Sequence, residues 1–307
     1  MRPTMRPTMH MAGAEQARLW NGPAGNAWVD AQQTLDQLFR PLEKLLVETA
    51  TQAPAGRVLD VGCGTGGTTL ALARAMTQAM AQTPGTGAEC TGIDISQPMI
   101  AAARSRAERE GIPARFVCAD AQAHAFEPAS FDGIVSRLGV MFFDDPVRAF
   151  ANLLHAAKGD AGLSFIAWRG AAENPFMTTA ERAAAPLLPH LPPRVPGAPG
   201  QFAFADRQRV RAILEESGWA DIDIQPVDLP CTLPEKDLVG YLSRLGPVGI
   251  ALLQTDEETR ARVIDTVRAA FEPYVHGDEV RLTAACWMAA ARAPNKGEKG
   301  KKGRADA

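Results

Sequence analysis

The sequence predicts an α/β fold built on a doubly wound, mainly parallel β-sheet. Short apolar segments alternate with helical segments, the first of them runs directly into a glycine-rich turn, and acidic residues end the next two. In open sheets of this kind, the carboxyl ends of the strands form the edge at which ligands bind. The predicted parallel strands cover residues 57–61, 89–94, 114–118, 131–136 and 162–168.

The segments between and after these strands carry helix signals. Ser96 is suited to an N-cap, Pro98 to a first turn and Gly111 to a C-terminal stop. Asp144 or Asp145 caps the next helix, whose apolar residues recur at helical spacing. The other predicted elements are helices over 14–50 (broken at 22–25), 66–80, 174–188, 235–245 and 256–271, a helix from the cap Asp206 to Gly218, a proline-rich loop over 186–200, and strands over 221–229 and 280–290.

The 307 residues, 46% of them hydrophobic, suffice for one large domain with insertions or for two domains. We expect one domain over residues 14–292. Its helical N-terminal part, 14–50, and the insertions 170–205 and 231–276 lie outside the alternating pattern and are predicted to form a lid. Residues 1–13, which repeat MRPT, are predicted to be a disordered leader, and the charged, glycine-rich residues 293–307 a disordered basic tail.

Composition excludes several classes of function. The net charge is −3, and without the basic tail it is about −6, so the body has no polyanion-binding footprint and nucleic acid is not expected as a ligand. No apolar run reaches the ~18 residues of a membrane span, and the N-terminus has no apolar secretory core. The five cysteines are dispersed and odd in number, so neither a metal site nor a disulfide framework is indicated, and a cytoplasmic location is expected.

The stretch from Gly62 to Gly67, GCGTGG, fits the G-x-G-x-x-G pattern of dinucleotide-binding loops. Asp60, two residues before the first glycine, would repel a pyrophosphate in a partly desolvated site. The next strand-end acid, Asp94, follows Gly67 by 27 residues, whereas a dinucleotide site places its acid after about 20. A ligand with a cationic amino-acid end and no phosphate suits this loop better, and S-adenosylmethionine has that chemistry.

Two further acids end neighbouring strands. Asp94 ends the second strand, where an acid can accept hydrogen bonds from both hydroxyls of a ribose. Asp120 follows the third strand, where it can accept from an exocyclic amine while the amide of Ala121 donates to the ring. Strand-end aspartates are common in turns, but three at successive strand ends meet at one edge of the sheet and predict a shared ligand.

Through these motifs the sequence resembles the class I S-adenosylmethionine-dependent methyltransferases. VLDVGCGTG, GIDIS and CADAQ are similar to their first three motifs, and the stretch that begins FDGIVSRLGVMFF resembles bacterial relatives of the ubiquinone/menaquinone-biosynthesis methyltransferases. The resemblance covers about residues 15 to 228. It implies a Rossmann-like, seven-stranded sheet with an antiparallel last strand, a methyltransferase domain at 14–292, and S-adenosylmethionine as cofactor with S-adenosylhomocysteine as product.

The resemblance also implies roles for individual residues. Asp60 and the glycines hold the methionine end, Asp94 the ribose, and Asp120 with Ala121 the adenine. Met99 packs on the adenine or belongs to the helix core. The full set of expected cofactor-binding residues is Asp60, Gly62, Gly64, Gly66, Asp94, Ile95, Met99, Asp120, Ala121, Ser136 and Arg137.

The acceptor side is less defined by the sequence. The fourth strand ends in Ser136-Arg137-Leu138-Gly139, without the Asn/Asp-Pro-Pro-Tyr signature of adenine or glutamine N-methylation. Catalytic candidates are His124 as a base and Arg137, which can instead neutralise the cofactor carboxylate or form a surface ion pair. A small, mostly apolar substrate is expected against Trp20, Trp28, Phe142, Phe143 and Trp168.

Two other functions stay open at this point. One is an NAD-dependent oxidoreductase, against which Asp60 and the position of Asp94 argue. The other is a non-catalytic, methyltransferase-like partner, which would typically have lost loop glycines or strand-end acids that this chain retains. The sequence is compatible with a monomer or a homodimer.

Overall fold

The computed structural model describes residues 11–52, 56–82, 88–195 and 197–295. Most of the predicted leader, residues 1–10, and most of the predicted tail, residues 296–307, lie outside this range. The strands of the described part are β1 (Arg57–Val61), β2 (Glu89–Asp94), β3 (Ala114–Cys118), β4 (Phe131–Arg137), β5 (Ala157–Trp168), β6 (Ala220–Pro234), β7 (Val275–His276) and β8 (Glu279–Arg292).

Helices precede the sheet, connect its strands and cover its carboxyl edge. They are α1 (Met11–Trp20), α2 (Pro23–Asp30), α3 (Gln32–Leu38), α4 (Arg40–Ala50), α5 (Gly67–Gln82), α6 (Gln97–Glu110), α7 (Pro146–Ala156), α8 (Phe176–Ala184), α9 (Arg207–Glu216), α10 (Glu235–Arg244), α11 (Gly246–Leu252) and α12 (Glu257–Ala270). Short 3₁₀ turns occupy Val140–Phe142 and Glu272–Tyr274. No helix in the described ranges combines the length and apolar character of a membrane span.

The sheet has the order β3-β2-β1-β4-β5-β8-β6, and β7 pairs with β8 beside this path. The strands β1 to β5 run parallel, whereas β8 runs antiparallel to both β5 and β6. The predicted doubly wound α/β sheet with an antiparallel last strand is thereby confirmed. The strand count is eight within the described residues rather than seven, because the two-residue β7 forms an additional pair with β8.

Several elements differ from the prediction in their extent. β5 begins at Ala157, directly after α7, instead of at residue 162. β6 and β8 extend to Pro234 and Arg292, and together they form a long antiparallel ribbon. The predicted N-terminal helix is four helices and begins at Met11, and α11 follows α10 after the single residue Leu245. Between α8 and α9, the described residues of the predicted 186–200 loop contain no helix or strand.

The local signals explain most of these elements. Ser96 accepts a hydrogen bond from the amide of Met99 and starts α6, which Gly111 ends in the left-handed conformation. Asp145, not Asp144, caps α7, and Asp206 caps α9. Leu42 and Leu46 of α4 are fully buried in the main core. Packing on both sides of the strands thus holds their carboxyl ends, and the loops that follow them, in fixed positions.

Candidate active site

The turn after β1 is a left-handed glycine loop. Gly62, Gly64 and Gly66 have φ values of +68°, +54° and +85°, a region in which other L residues are strained. A Cβ on Gly62 would lie 2.7 Å from the Cα of Gly139, which follows β4. The amides of Gly62 and Cys63 both donate to the carbonyl of Ile93, at 2.9 and 3.1 Å. The loop is therefore held between the ends of β2 and β4.

Asp94, the last residue of β2, connects this loop to α6. Its Oδ2 accepts a hydrogen bond from the amide of Gly64 and its Oδ1 from the amide of Ser96, both at 2.8 Å. Burial raises the pKa of Asp94 above its usual value, and these amide hydrogen bonds oppose that rise. The carboxylate is half-buried and lines a cavity, so it can also accept hydrogen bonds from a ligand.

Asp60 lies beneath the glycine loop rather than on its ligand side. Its side chain is 2% exposed, and its Oδ2 accepts a hydrogen bond of 2.6 Å from the hydroxyl of Thr69. Its Oδ1 has no hydrogen-bond partner among the described residues. Burial raises the pKa of Asp60 to about 6, while Thr69 and the Arg137 guanidinium oppose this. The carboxylate thus contributes a buried, incompletely satisfied acceptor behind the loop.

A cavity of about 420 Å³ opens above the glycine loop. Parts of its wall are contributed by the carboxyl ends of the strands and by the lid helices. The sequence-predicted residues that the structure brings together in this wall are Gly62, Gly64, Asp94, Ile95, Met99, Asp120, Ala121, Arg137, Trp20, Trp28, Phe142, Phe143 and Trp168.

Four predicted site residues have other surroundings. Gly66 packs toward Ala103 and Phe116, each 3.0 Å from the position of a Cβ, and Asp60 lies under the loop as described. The hydroxyl of Ser136 accepts hydrogen bonds from the amides of Gly139 and Val140, at 3.2 and 3.3 Å, and so shapes the turn after β4. His124 packs edge-on against Phe126, with ring centroids 4.7 Å apart.

A polar cluster fastens α3 and α4 to the glycine loop. Arg106 of α6 donates to the carbonyl of Thr65 at 2.9 Å and forms an ion pair of 2.8 Å with Asp36 of α3. Arg137 donates to the carbonyl of Phe39 at 3.4 Å, and its other terminal nitrogen lies near Gly67 together with Asp36 and Glu43. Arg137 therefore places a positive charge between the loop and the N-terminal helices, at the cavity wall.

The turn between α1 and α2 is fastened to the end of β2. Asn21 donates to the carbonyl of Ile95 at 3.0 Å and accepts from the amide of Gln97 at 2.8 Å. The hydroxyl of Ser96 donates to the carbonyl of Trp20 at 2.6 Å. Trp20 packs edge-on against Phe142, with centroids 5.2 Å apart. These contacts hold an aromatic cover over the strand-end part of the cavity.

Sequence reasoning missed a second group of cavity residues. Leu138 lines the cavity with a φ of +63°, which is rare for a leucine and marks a constrained turn after β4. The insertions supply a wall of α8, α10 and α11 residues together with Phe271. Nothing distinguishes these apolar residues from core residues in the sequence. The missed wall residues include the charged pair Glu181 and Arg194 as well as Phe176, Tyr241, Leu242, Leu245 and Val248.

The arrangement fits a cofactor with a cationic amino-acid end and an adenosine. The left-handed loop has no Cβ atoms at its three glycines, Asp60 leaves one buried carboxylate oxygen unpaired, and Asp94 presents a carboxylate to the cavity. Met99, Ala121 and Phe142 provide apolar surface for a base nearby. These residues fit S-adenosylmethionine in their charges and in the apolar surface that they offer.

Comparisons with known proteins support the same conclusion. Residues 58–160 match the methyltransferase domain family. An uncharacterized protein of Mycobacterium tuberculosis is 29% identical over 133 residues, which is 43% of this chain and 44% of that protein. Demethylmenaquinone methyltransferase of Thermus thermophilus is 35% identical over 107 residues, 35% of this chain and 44% of that enzyme. The chain thus spans less than half the length of these relatives.

Solved structures share the fold at low identity. Phosphoethanolamine N-methyltransferase 2 of Haemonchus contortus, in complex with S-adenosyl-L-methionine, has a TM-score of 0.55 at 17% identity, over 96% of this chain and 62% of that one. The [4+2]-cyclase SpnF has a TM-score of 0.51 at 20% identity, over 83% of this chain and 80% of the cyclase chain. Residues 58–160 therefore match the methyltransferase domain family, and the chain has the fold of the class I S-adenosylmethionine-dependent methyltransferases.

Proposed function

We propose that this chain transfers a methyl group from S-adenosylmethionine to a small, largely apolar molecule, on oxygen, carbon, nitrogen or sulfur. The observation that carries this proposal is the cavity itself, which joins the glycine loop and Asp94 to apolar side chains from the lid helices. When bound, the cofactor supplies an electrophilic methyl group on a sulfonium. The chain supplies a binding site for both partners in one enclosed space.

The cofactor roles follow from the positions of the polar groups. We assign Asp94 to the ribose hydroxyls, because its carboxylate lines the cavity and is already fixed by two amides. Asp120 and Ala121 are assigned to the adenine edge and Met99 to its face. The glycine loop and the charge of Asp60 are assigned to the methionine end, with Arg137 available to its carboxylate.

The contribution of the chain to the reaction is alignment and exclusion of water. Holding two reactants in a well-oriented pair lowers the activation free energy by about 7–11 kcal/mol relative to their encounter in free solution. The aromatic faces of Trp20 and Phe142 line the cavity and also attract a positive sulfonium. His124 packs on Phe126 rather than in the cavity wall, so the proposal requires no base from it. Acceptors such as thiols, enolates and easily ionised phenols react without a protein base.

The name of the Thermus relative suggests the first acceptor to test. That protein is called a demethylmenaquinone methyltransferase. The apolar wall from α8, α10 and α11 supports an acceptor of this chemical type, a ring with an apolar body. We therefore propose a reduced demethylmenaquinone with a short side chain as the leading candidate in an acceptor screen.

Calorimetry tests the cofactor part of the proposal. S-adenosylmethionine and S-adenosylhomocysteine are expected to bind, and NAD is not. Asp94→Ala removes a ligand acceptor and frees two amides, so at least a ~10-fold loss of affinity is expected. Asp223→Ala, on the exposed side of β6, is the matched control and should bind as the wild type does. Binding of NAD alone would refute the proposal and favour the oxidoreductase alternative.

Product analysis tests the transfer itself, because the [4+2]-cyclase SpnF shares this fold. Methyl transfer releases one S-adenosylhomocysteine for each methylated acceptor, and both can be quantified by mass spectrometry. A protein that binds S-adenosylmethionine but forms no S-adenosylhomocysteine across the screen would instead be a non-catalytic partner or catalyse another reaction.

A cytoplasmic location is also proposed, which the free state of the described cysteines supports.

A further inference from the structure

We propose that Tyr241 donates a hydrogen bond to an oxygen atom of the methyl acceptor and thereby selects acceptors that carry such an oxygen on an otherwise apolar body. This inference rests on the proposed function, since it concerns the acceptor end of the same cavity. It names a substrate-binding residue in α10, outside the segment that matches the methyltransferase family.

Tyr241 faces the interior from the middle of α10. Its neighbours on the helix, Leu238 and Leu242, are buried, which directs this side of α10 toward the core. Tyr241 itself is half-buried and lines the cavity together with Leu245 and Val248. A ligand that enters this part of the cavity therefore contacts the tyrosine.

The hydroxyl of Tyr241 is available to a ligand. Among the described residues no hydrogen-bond partner lies within reach of it. The hydroxyl is absent from the set of fully buried, unpaired polar atoms of the described residues. It is therefore accessible to a molecule of the size of water. Tyr241 is half-buried and lines the cavity, and we assign this access to the cavity side. Phenol groups in protein interiors normally have a hydrogen-bond partner, and the proposal assigns this role to the ligand.

The protonation state makes this hydroxyl a donor. Burial, with a smaller contribution from the Cys231 thiol, raises the pKa of Tyr241 to about 12. The phenol is therefore neutral throughout the physiological range, and it offers one O–H to a carbonyl, ether or hydroxyl oxygen.

Two charged side chains of the cavity wall pair with each other. Glu181 accepts two hydrogen bonds from the guanidinium of Arg194, at 2.8 and 2.5 Å, so the two charges satisfy each other. Of the lining residues near Tyr241 in the chain, Leu242, Leu245 and Val248 are apolar, and Arg244 is exposed. A neutral acceptor with one oxygen near Tyr241 matches this distribution.

A pair of probe ligands isolates this hydrogen bond. 1-Tetralone has a carbonyl oxygen, and tetralin has the same ring skeleton without it. Their dissociation constants would be measured by tryptophan fluorescence with saturating S-adenosylhomocysteine, for the wild type, Tyr241→Phe and Tyr274→Phe. Tyr274, the second of the two tyrosines of the chain, packs on Phe271 beside a separate surface groove and is the matched control.

We expect the wild type and Tyr274→Phe to bind tetralone about three- to tenfold more tightly than tetralin, and Tyr241→Phe to lose this preference because the carbonyl then has no donor. Retention of the tetralone preference in Tyr241→Phe would overturn the proposal, as would equal binding or no binding of both probes by the wild type. Failure of the proposed function would give a different result. The protein would then not bind S-adenosylhomocysteine or would not transfer a methyl group, whatever the ratio of the two probe affinities.

Discussion

At the scale of single residues, the glycine loop tolerates substitution least at Gly62. Gly62 and Gly111 both require a positive φ, but a Cβ at Gly111 meets open space, whereas one at Gly62 would lie 2.7 Å from the Cα of Gly139. We expect Gly111→Ala to cost about 1 kcal/mol of unfolding free energy, from backbone strain alone. Gly62→Ala should cost about 3 kcal/mol, because the turn after β4 must also move.

Urea unfolding of both variants measures this difference directly, since each introduces the same methyl group at a left-handed position. Calorimetry with S-adenosylmethionine should show weakened binding for Gly62→Ala only. Equal destabilisation of the two variants would mean that the contact between Gly62 and Gly139 contributes little to the loop.

Asp60 is expected to make stability depend on pH. Burial raises its pKa from 3.8 to about 6, so between these values the folded protein binds a proton that the unfolded chain has released. Folding stability therefore falls as pH rises through this window, by an amount of order 3 kcal/mol. Asp60→Asn removes this dependence. Urea unfolding from pH 4 to 7 should show the wild type losing stability relative to Asp60→Asn, and a constant difference would contradict the expected raised pKa.

At the scale of elements, we expect the turn between α1 and α2 to control access of the cofactor to the cavity. Asn21 fastens it to Ile95 and Gln97 at the junction of β2 and α6. We expect Asn21→Ala to raise the dissociation constant of S-adenosylmethionine about three- to tenfold, because two hydrogen bonds of the cover are lost. The faster release should be visible in stopped-flow experiments, together with increased hydrogen exchange in α1 and α2.

Asn26→Ala is the control for this prediction. Asn26 is an exposed asparagine in α2, and its side chain forms no hydrogen bond with the described residues. It should therefore leave affinity and exchange unchanged. If both variants behave alike, the lid is held by its aromatic packing, in which Trp20 contacts Trp28 and Phe142, and not by the asparagine.

The strands and helix ends were predictable because their signals are local. β1, β2 and β3 have the predicted bounds, and Ser96 and Gly111 begin and end α6 as expected from cap chemistry. β7 was not predictable, because two residues show no period, and its pairing depends on β8. α11 was missed because it follows α10 directly, with Gly246 and Pro247 at its start, residues that usually interrupt helices.

At the scale of the whole molecule, the two ends of the cavity differ in how far the sequence predicts them. Asp94, Asp120 and the glycine loop meet because parallel strands end at one edge, a consequence of topology that can be argued without coordinates. The position of Tyr241 depends instead on the long β6–β8 ribbon, after which α10 begins at Glu235. That long-range packing leaves no periodic signal, so this wall of the cavity could not be predicted from the sequence.

The reaction rates of the cysteine thiols measure how often parts of the folded structure open. Cys118 is exposed, whereas Cys63, Cys90, Cys231 and Cys286 are buried, and all five are free. Burial also raises the pKa of Cys63 well above its usual value, so its reactive thiolate is scarce in the folded protein. With a chromogenic aromatic disulfide, we expect one thiol to react rapidly and four to react slowly. Cys118→Ser should abolish the rapid phase and leave the slow one.

The slow phase should respond to the cofactor site, because Cys63 lies between Gly62 and Gly64 and reacts only when the loop or the whole fold opens. We expect S-adenosylhomocysteine to bind only the closed loop, so at 100 times its dissociation constant it should slow the labelling of Cys63 about 100-fold. NADH at the same concentration should have no effect. Peptide mapping by mass spectrometry identifies the labelled cysteine, and labelling of Cys63 at an unchanged rate with S-adenosylhomocysteine bound would mean that the loop opens without releasing the ligand.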